Sequence, residues 1–305
     1  MIFKPIQQVT VANSGTLRRI RSHNDHVYTL TDKGLTGEVR QFDSDLNLVW
    51  GKATPFSVND MVIADEGIAI SGHQYSKGNE GMSISSPMMA KMDLHGRVEW
   101  QRGPRPPTDL DMNWNGPRPN IDPSDSAQLW KTILLPGGSV LSMGLLNQGD
   151  SQLLYHHRFD PLGRTIWAKG CALVKTDWMY TYPGKIEPML YRHKEFIHHI
   201  GAYRLHTSSS KLAGFKIHIR SGDLVARYES KRDDLHFSGG ALSSKGDCAI
   251  GTVGMKGAPS TVLALDAQFN QTAALTTSLQ PWSDVMWNGQ DEIVFVGGVA
   301  IQGKS

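Results

Sequence analysis

One short pattern returns along this chain and limits what it can become. Residues Leu154–Trp167, LYHHRFDPLGRTIW, read as two strands joined by a tight turn at Asp160-Pro161-Leu162-Gly163. The same shape occurs as MMAKMDLHGRVEW (Met88–Trp100) and as GEVRQFDSDLNLVW (Gly37–Trp50). Weaker copies follow at Phe215–Tyr228 and Val262–Leu275. An aspartate opens most of these turns, because its side chain can hold the backbone two residues on. Where a glycine closes one, it tolerates the left-handed conformation. A lone hairpin cannot bury its apolar face, so a hairpin that keeps returning predicts a stack of copies.

Upstream of each hairpin lies a second pair of apolar runs. They begin near residues 17, 59, 129, 187, 238 and 284 and break at polar turns such as Asp65-Glu66-Gly67 and Pro136-Gly137-Gly138. The runs are short and rich in Val, Ile and Leu, and turn residues bound them, which is the strand signature. No stretch shows the i, i+3, i+4, i+7 period of a helix. The repeat is therefore four strands, an inner pair and an outer hairpin, in roughly 40–50 residues. That is the size of a propeller blade. The predicted fold is an all-β, six-bladed β-propeller of four-stranded antiparallel blades, one domain over residues 1–305. The sixth unit lacks its outer hairpin. Phe3-Lys4-Pro5-Ile6-Gln7 lines up with the turn at Phe159-Asp160-Pro161-Leu162-Gly163. Residues 1–12 are therefore expected to complete the last blade and satisfy its edge.

Composition excludes several partners. A formal net charge of +2 over 305 residues is too weak a balance to argue for nucleic acid or an anionic membrane. No run approaches the length of a transmembrane helix, so no membrane insertion is expected. The N-terminal residues carry no apolar core of signal-peptide length. The expected location is cytoplasmic, or exported without a Sec signal peptide. Two cysteines, Cys171 and Cys248, allow one disulfide but no framework.

Antiparallel strands put alternate connections on one face of a blade. The turns within the inner pair and within the outer hairpin are short. The other links carry every long insertion, at 73–87, 101–128, 168–185 and 202–214. Long loops on one face predict a binding surface there. Trp114, Trp178, Tyr180 and Tyr182 in these insertions are candidate contact platforms for a glycan, a small molecule or a protein partner. The first residues of the inner strands should meet at the mouth of the central channel. These are Arg18, Asn59 with Asp60, Lys131, Glu187 and Asp284. Lys131 is a candidate for orienting a ligand. Asp60, Glu187 and Asp284 are candidate oxygen ligands for a divalent cation such as calcium. The same positions also read as a charge ring in which Arg18 and Lys131 balance the three carboxylates. If the protein is an enzyme, Asp60 and Glu187 with His73 and His206 are the candidate acid–base groups.

The adjacent pairs His156-His157 and His198-His199 sit on strands, where neighbours point to opposite faces and cannot chelate one ion together. Gly298–Ser305 spells a phosphate-loop pattern. That chemistry needs a helix N-terminus in a parallel α/β sheet, and no nucleotide is expected here.

The turn with Asp, Gly and closing Trp (Asp93, Gly96, Trp100; Asp160, Gly163, Trp167) resembles the outer hairpin of quinoprotein-like β-propeller repeats. It is similar also to the propellers of bacterial arylsulfotransferases. The resemblance implies the fold. The longer Trp-docking pattern of quinone dehydrogenases is absent, so it implies no cofactor and no catalytic residue. The function expected is that of a binding protein with a glycan-, peptide- or protein-binding surface on the long-loop face. The alternative is a hydrolase or lyase working at the channel mouth. Loss of Asp60 or Glu187 should spare a binder and cripple an enzyme.

Overall fold

The computed structural model describes residues 15–77, 83–105, 126–148, 151–175, 189–206, 209–232, 234–254, 259–277, 280–288 and 292–298. These residues contain no helix. They form five four-stranded antiparallel sheets and one two-stranded sheet, each a simple meander in chain order. The first sheet holds β1 (Thr16–His23), β2 (His26–Asp32), β3 (Gly37–Phe42) and β4 (Leu48–Thr54). The second holds β5 (Ser57–Ala64), β6 (Gly67–Lys77), β7 (Ser83–Met92) and β8 (Val98–Arg102). The third holds β9 (Ala127–Leu134), β10 (Val140–Gln148), β11 (Ser151–Phe159) and β12 (Thr165–Lys175). The fourth holds β13 (Met189–His193), β14 (Phe196–His206), β15 (Ser209–His218) and β16 (Leu224–Glu229). The fifth holds β17 (Leu235–Leu242), β18 (Cys248–Gly254), β19 (Ser260–Leu265) and β20 (Gln271–Thr277). The sixth pairs β21 (Gln280–Trp287) with β22 (Ile293–Gly298). These are the blades of a β-propeller, as the repeat predicts. Residues 1–12, expected to complete the last blade, lie outside the described residues.

The chain divides into two compact units. One contains the first two sheets and most of the third, and the other contains the last three sheets with the start of β11 and the end of β12. In the first unit β5 packs against β1 and β2, and β9 packs against β5, β6 and β7. Alternation supplies the core between sheets one and two. Tyr28, Leu30 and Val39 face Val58, Met61, Ile68, Ile70, Met88 and Met92, all buried. In the second unit Ile200 and Leu212 meet Phe237, Cys248, Ile250, Leu263 and Phe269. Ala249 and Val262 pack with Val285 of the sixth sheet.

The outer turns are built alike. Asp93 Oδ1 accepts from His95 N at 3.0 Å and Arg97 N at 2.8 Å. Asp160 Oδ1 accepts from Leu162 N at 2.9 Å and Arg164 N at 2.8 Å. Asp266 does the same for Gln268 and Asn270. Backbone bonds hold the Asp93 and Asp160 carboxyls below the usual aspartate range, and at Asp266 the side-chain bond from Asn270 leads, with the backbone bonds adding to it. Trp100 and Trp167 are buried, as their recurrence predicts, while Trp50 is only partly so.

Parts of the segments expected to be long loops are strand. Residues 73–77 and 83–87 continue β6 and β7, paired from His73↔Pro87 to Lys77↔Ser83. Residues 202–206 and 209–214 extend β14 and β15, paired from Ala202↔Leu212 to His206↔Ser209, and residues 168–175 belong to β12. Their polar composition suggested loop. Backbone pairing along a projecting hairpin needs no apolar face, so the strands simply continue.

A finer regularity sits at the start of the first strand of four sheets. In β1, β5, β9 and β17 one extra residue bulges out of the pairing, at Arg18, Asn59, Trp130 and Ser238 respectively. A bulge re-aims side chains, and here it also brings the second strand very close. A Cβ on Gly72 would lie 2.0 Å from the Ser57 carbonyl oxygen, and one on Gly144 would lie 2.6 Å from that of Gln128. In the second and third sheets the glycine near the end of the inner pair is there to admit the bulge.

Candidate functional site

The bulges of the first unit gather a polar cluster at the starts of β1, β5 and β9. Arg18 turns to Asp32, its Nη2 donating to Oδ2 at 2.8 Å. The other oxygen of Asp32 accepts from Ser57 Oγ at 3.0 Å and from Gly34 N at 3.2 Å. Arg19, next along, points to the following sheet and donates through Nε to Asp60 Oδ1. Lys131 Nζ approaches the same oxygen at 3.8 Å, and Arg21 Nη2 at 4.0 Å. Asp60 Oδ2 accepts from the Thr132 backbone N–H at 3.0 Å. Asn59, beside it, donates from Nδ2 to the Leu129 carbonyl at 2.8 Å. Asp60 is 3% exposed and ties three sheets together.

Both oxygens of Asp60 are engaged, and three cationic side chains surround it, the arrangement of a counter-ion among cations. Its loss cannot by itself separate a binder from an enzyme, because it strands partly buried cations either way. Asp60→Ala is expected to lower stability by about 3–5 kcal/mol, the usual cost of breaking a buried ion pair. Urea unfolding measures it, and a loss below about 1 kcal/mol would show that the cations find solvent instead. Among the described residues no group of three or more His, Cys, Asp or Glu is placed to hold a metal ion.

His73 lies on β6 opposite Ser57 and is 5% exposed. Burial pushes its pKa down to about 4, the Asp32 charge opposing and the Arg18 charge adding to the shift. The ring is therefore neutral at pH 7. Its Nδ1 stands 3.3 Å from Asn59 Nδ2. The half-exposed Tyr75 packs edge-to-face on it, with ring centroids 4.7 Å apart. Sequence reasoning marked Asp60, His73, Lys131 and Arg18 and missed Arg19, Arg21, Asp32 and Tyr75. The alternating arginines of LRRIR were the available signal for the first two.

The remaining candidates fall elsewhere. Trp114, Trp178, Tyr180, Tyr182 and Glu187 lie outside the described residues. His206 is on β14 and Asp284 on β21, where it pairs with Val296. Neither side chain is among those described. The four strand histidines 156, 157, 198 and 199 are buried, as separate residues and not as chelating pairs. His157 stacks on Phe159 and meets Thr165 Oγ1 at 2.8 Å, while His198 Nδ1 faces the Cys248 Sγ at 3.5 Å. Cys248 is a free thiol that burial pushes up to about 12. Among the described residues no helix is long and apolar enough to cross a membrane.

No protein-family model matches the chain, and no curated protein matches it. Solved structures do. The crystal structure of the polysaccharide lyase Uly1 aligns with a TM-score of 0.53 at 12% identity, over 97% of this chain and 83% of that one. A protein from Lactobacillus plantarum aligns with a TM-score of 0.52 at 16% identity, over 95% and 79%. At such identities the likeness is one of fold alone, and it agrees with the propeller reading of the hairpins.

Proposed function

We propose that the protein binds an acidic glycan at the bulged strand starts of its first unit, on the edge from which the β6–β7 hairpin projects. The observation that carries this reading is the set of arginines on β1. Arg18 and Arg21 keep 39% and 44% of their side chains exposed while leaning on buried carboxylates. Their guanidinium groups are thus pre-oriented, which lowers the entropy cost of gripping a carboxylate or sulfate. Tyr75, 45% exposed, stands beside them as an amphipathic platform of the kind sugars pack on.

Titration calorimetry with an oligogalacturonate and with a neutral malto-oligosaccharide tests it. The acidic sugar should bind, more weakly as salt rises, and the neutral one should not. Exchanging Arg18 and Arg21 together for Gln should weaken binding about tenfold or more, as for loss of charged hydrogen bonds. Equal binding of both sugars, or of neither, refutes the reading.

A lyase working at the same cluster is the second reading. Cations that neutralise a uronate carboxylate also acidify the neighbouring C–H, and the fold is similar to that of the polysaccharide lyase Uly1. Unsaturated, ultraviolet-absorbing ends released from the oligogalacturonate would favour it over binding alone.

A further inference from the structure

The Asn59 bulge determines which nitrogen of His73 carries the proton. Asn59 Nδ2 lies 2.8 Å from the Leu129 carbonyl oxygen and 3.3 Å from His73 Nδ1. A carbonyl only accepts, so the amide nitrogen of Asn59, and not its oxygen, faces Leu129. Its second hydrogen is then directed to His73 Nδ1, which accepts. A neutral imidazole carries one N–H. That hydrogen therefore sits on Nε2. The opposite tautomer would set two N–H groups against each other, or cost the bond to Leu129.

His73 Nε2 is buried and has no hydrogen-bond partner among the described residues. Several neighbouring polar groups are engaged, Asn59 with Leu129, Asp60 with Arg19 and Thr132, and Ser57 with Asp32, while Ser71 Oγ, two residues back on β6, is in the same state as Nε2. A buried donor left unmatched is a cost to the fold. Such a cost is understandable where the missing acceptor arrives from outside. Tyr75 is the half-exposed ring packed on His73. Turning it aside opens a way to Nε2 without disturbing a strand.

We propose that His73 is a ligand-reading donor, whose Nε2–H gives a hydrogen bond to an oxygen of the bound acidic sugar beside Arg18, with Asn59 as the positioning residue that fixes the tautomer. This rests on the glycan-binding reading above and assigns His73 a donor's role in place of a base's.

Long-range proton–nitrogen correlation on histidine-labelled protein tests it directly, since each tautomer gives its own pattern. At pH 7 His73 should be a single neutral species protonated at Nε2, and Asn59→Ala should produce a mixture. Saturation with oligogalacturonate should shift the His73 Nε2–H resonance. His73→Gln, which can place an amide N–H near the Nε2 position, should keep affinity within about threefold, whereas His73→Phe should lose about tenfold. An Nδ1–H tautomer in the free protein overturns the proposal. So does an Nε2 signal that stays put while the sugar binds, and that result leaves the glycan reading standing. If the sugar does not bind at all, both fall.

Discussion

Lowering the pH from 7 to 5 is expected to remove about 8 kcal/mol of stability, most of what a domain possesses. Four histidines are buried in neutral form. Desolvation pushes His156 down to about 3 and His73, His157 and His198 down to about 4. The unfolded chain titrates these groups near 6.5. Between the two values the unfolded state binds protons that the folded state refuses, so stability rises with pH across that window and is lost as pH falls below about 6.5. At pH 5 each group costs about 2 kcal/mol. Three of the four belong to the first unit, which should feel acid more. The turn aspartates act elsewhere on the scale. Their pKa values are depressed below 3.8, so their contribution fades only under stronger acid. Urea midpoints at pH 7, 6 and 5 check the prediction. His157→Gln, which can keep a bond to Thr165, should remove about a quarter of the pH dependence. A midpoint that stays flat from pH 7 to 5 would show that protonated histidines reach water in the folded state.

The repeat was legible because it is written in local physics. Aspartate and glycine in a turn, alternation in a strand and tryptophan at one repeat position each follow from neighbours in sequence. The inner-pair glycines were visible too, though not their reason: Gly72 and Gly144 answer bulges that lie across the sheet. The site was legible only as a place. The marked strand starts at residues 18, 59 and 131 do converge in the first unit. Their partners could not be read, because Arg19 reaches Asp60 across forty-one residues and Asn59 reaches Leu129 across seventy. Charge counting left two readings of Asp60 open, a cation ligand or a member of a balanced charge ring, and only the contacts show which groups its oxygens meet. The tautomer of His73 depends on a carbonyl from another sheet, and nothing near residue 73 announces it.

The recurring tryptophan should carry a single-residue effect as large as that of Asp60. Trp100 is 6% exposed. Its Nε1 donates to the Pro161 carbonyl at 2.9 Å, in the outer turn of the next sheet. That turn closes on Gly163, whose φ is +77° and where a Cβ would come within 2.6 Å of the Trp100 ring. Trp50 meets Gly96 in the same way, with a Cβ 2.9 Å from its ring. The first sheet is thus keyed to the second, and the second to the third, by an indole lying on a glycine. Trp100→Ala should cost about 3–5 kcal/mol, as for other buried aromatics. Gly163→Ala meets two obstacles. The left-handed backbone alone costs about 1–2 kcal/mol, and the ring contact adds to it. Removing the ring relieves the second obstacle only, so in Trp100→Ala protein the same glycine change should fall back to about 1–2 kcal/mol. Urea unfolding of the two single variants and the double measures the coupling. Strict additivity would mean that Trp100 and Gly163 stabilise the sheets independently, and that the indole is not what demands the glycine.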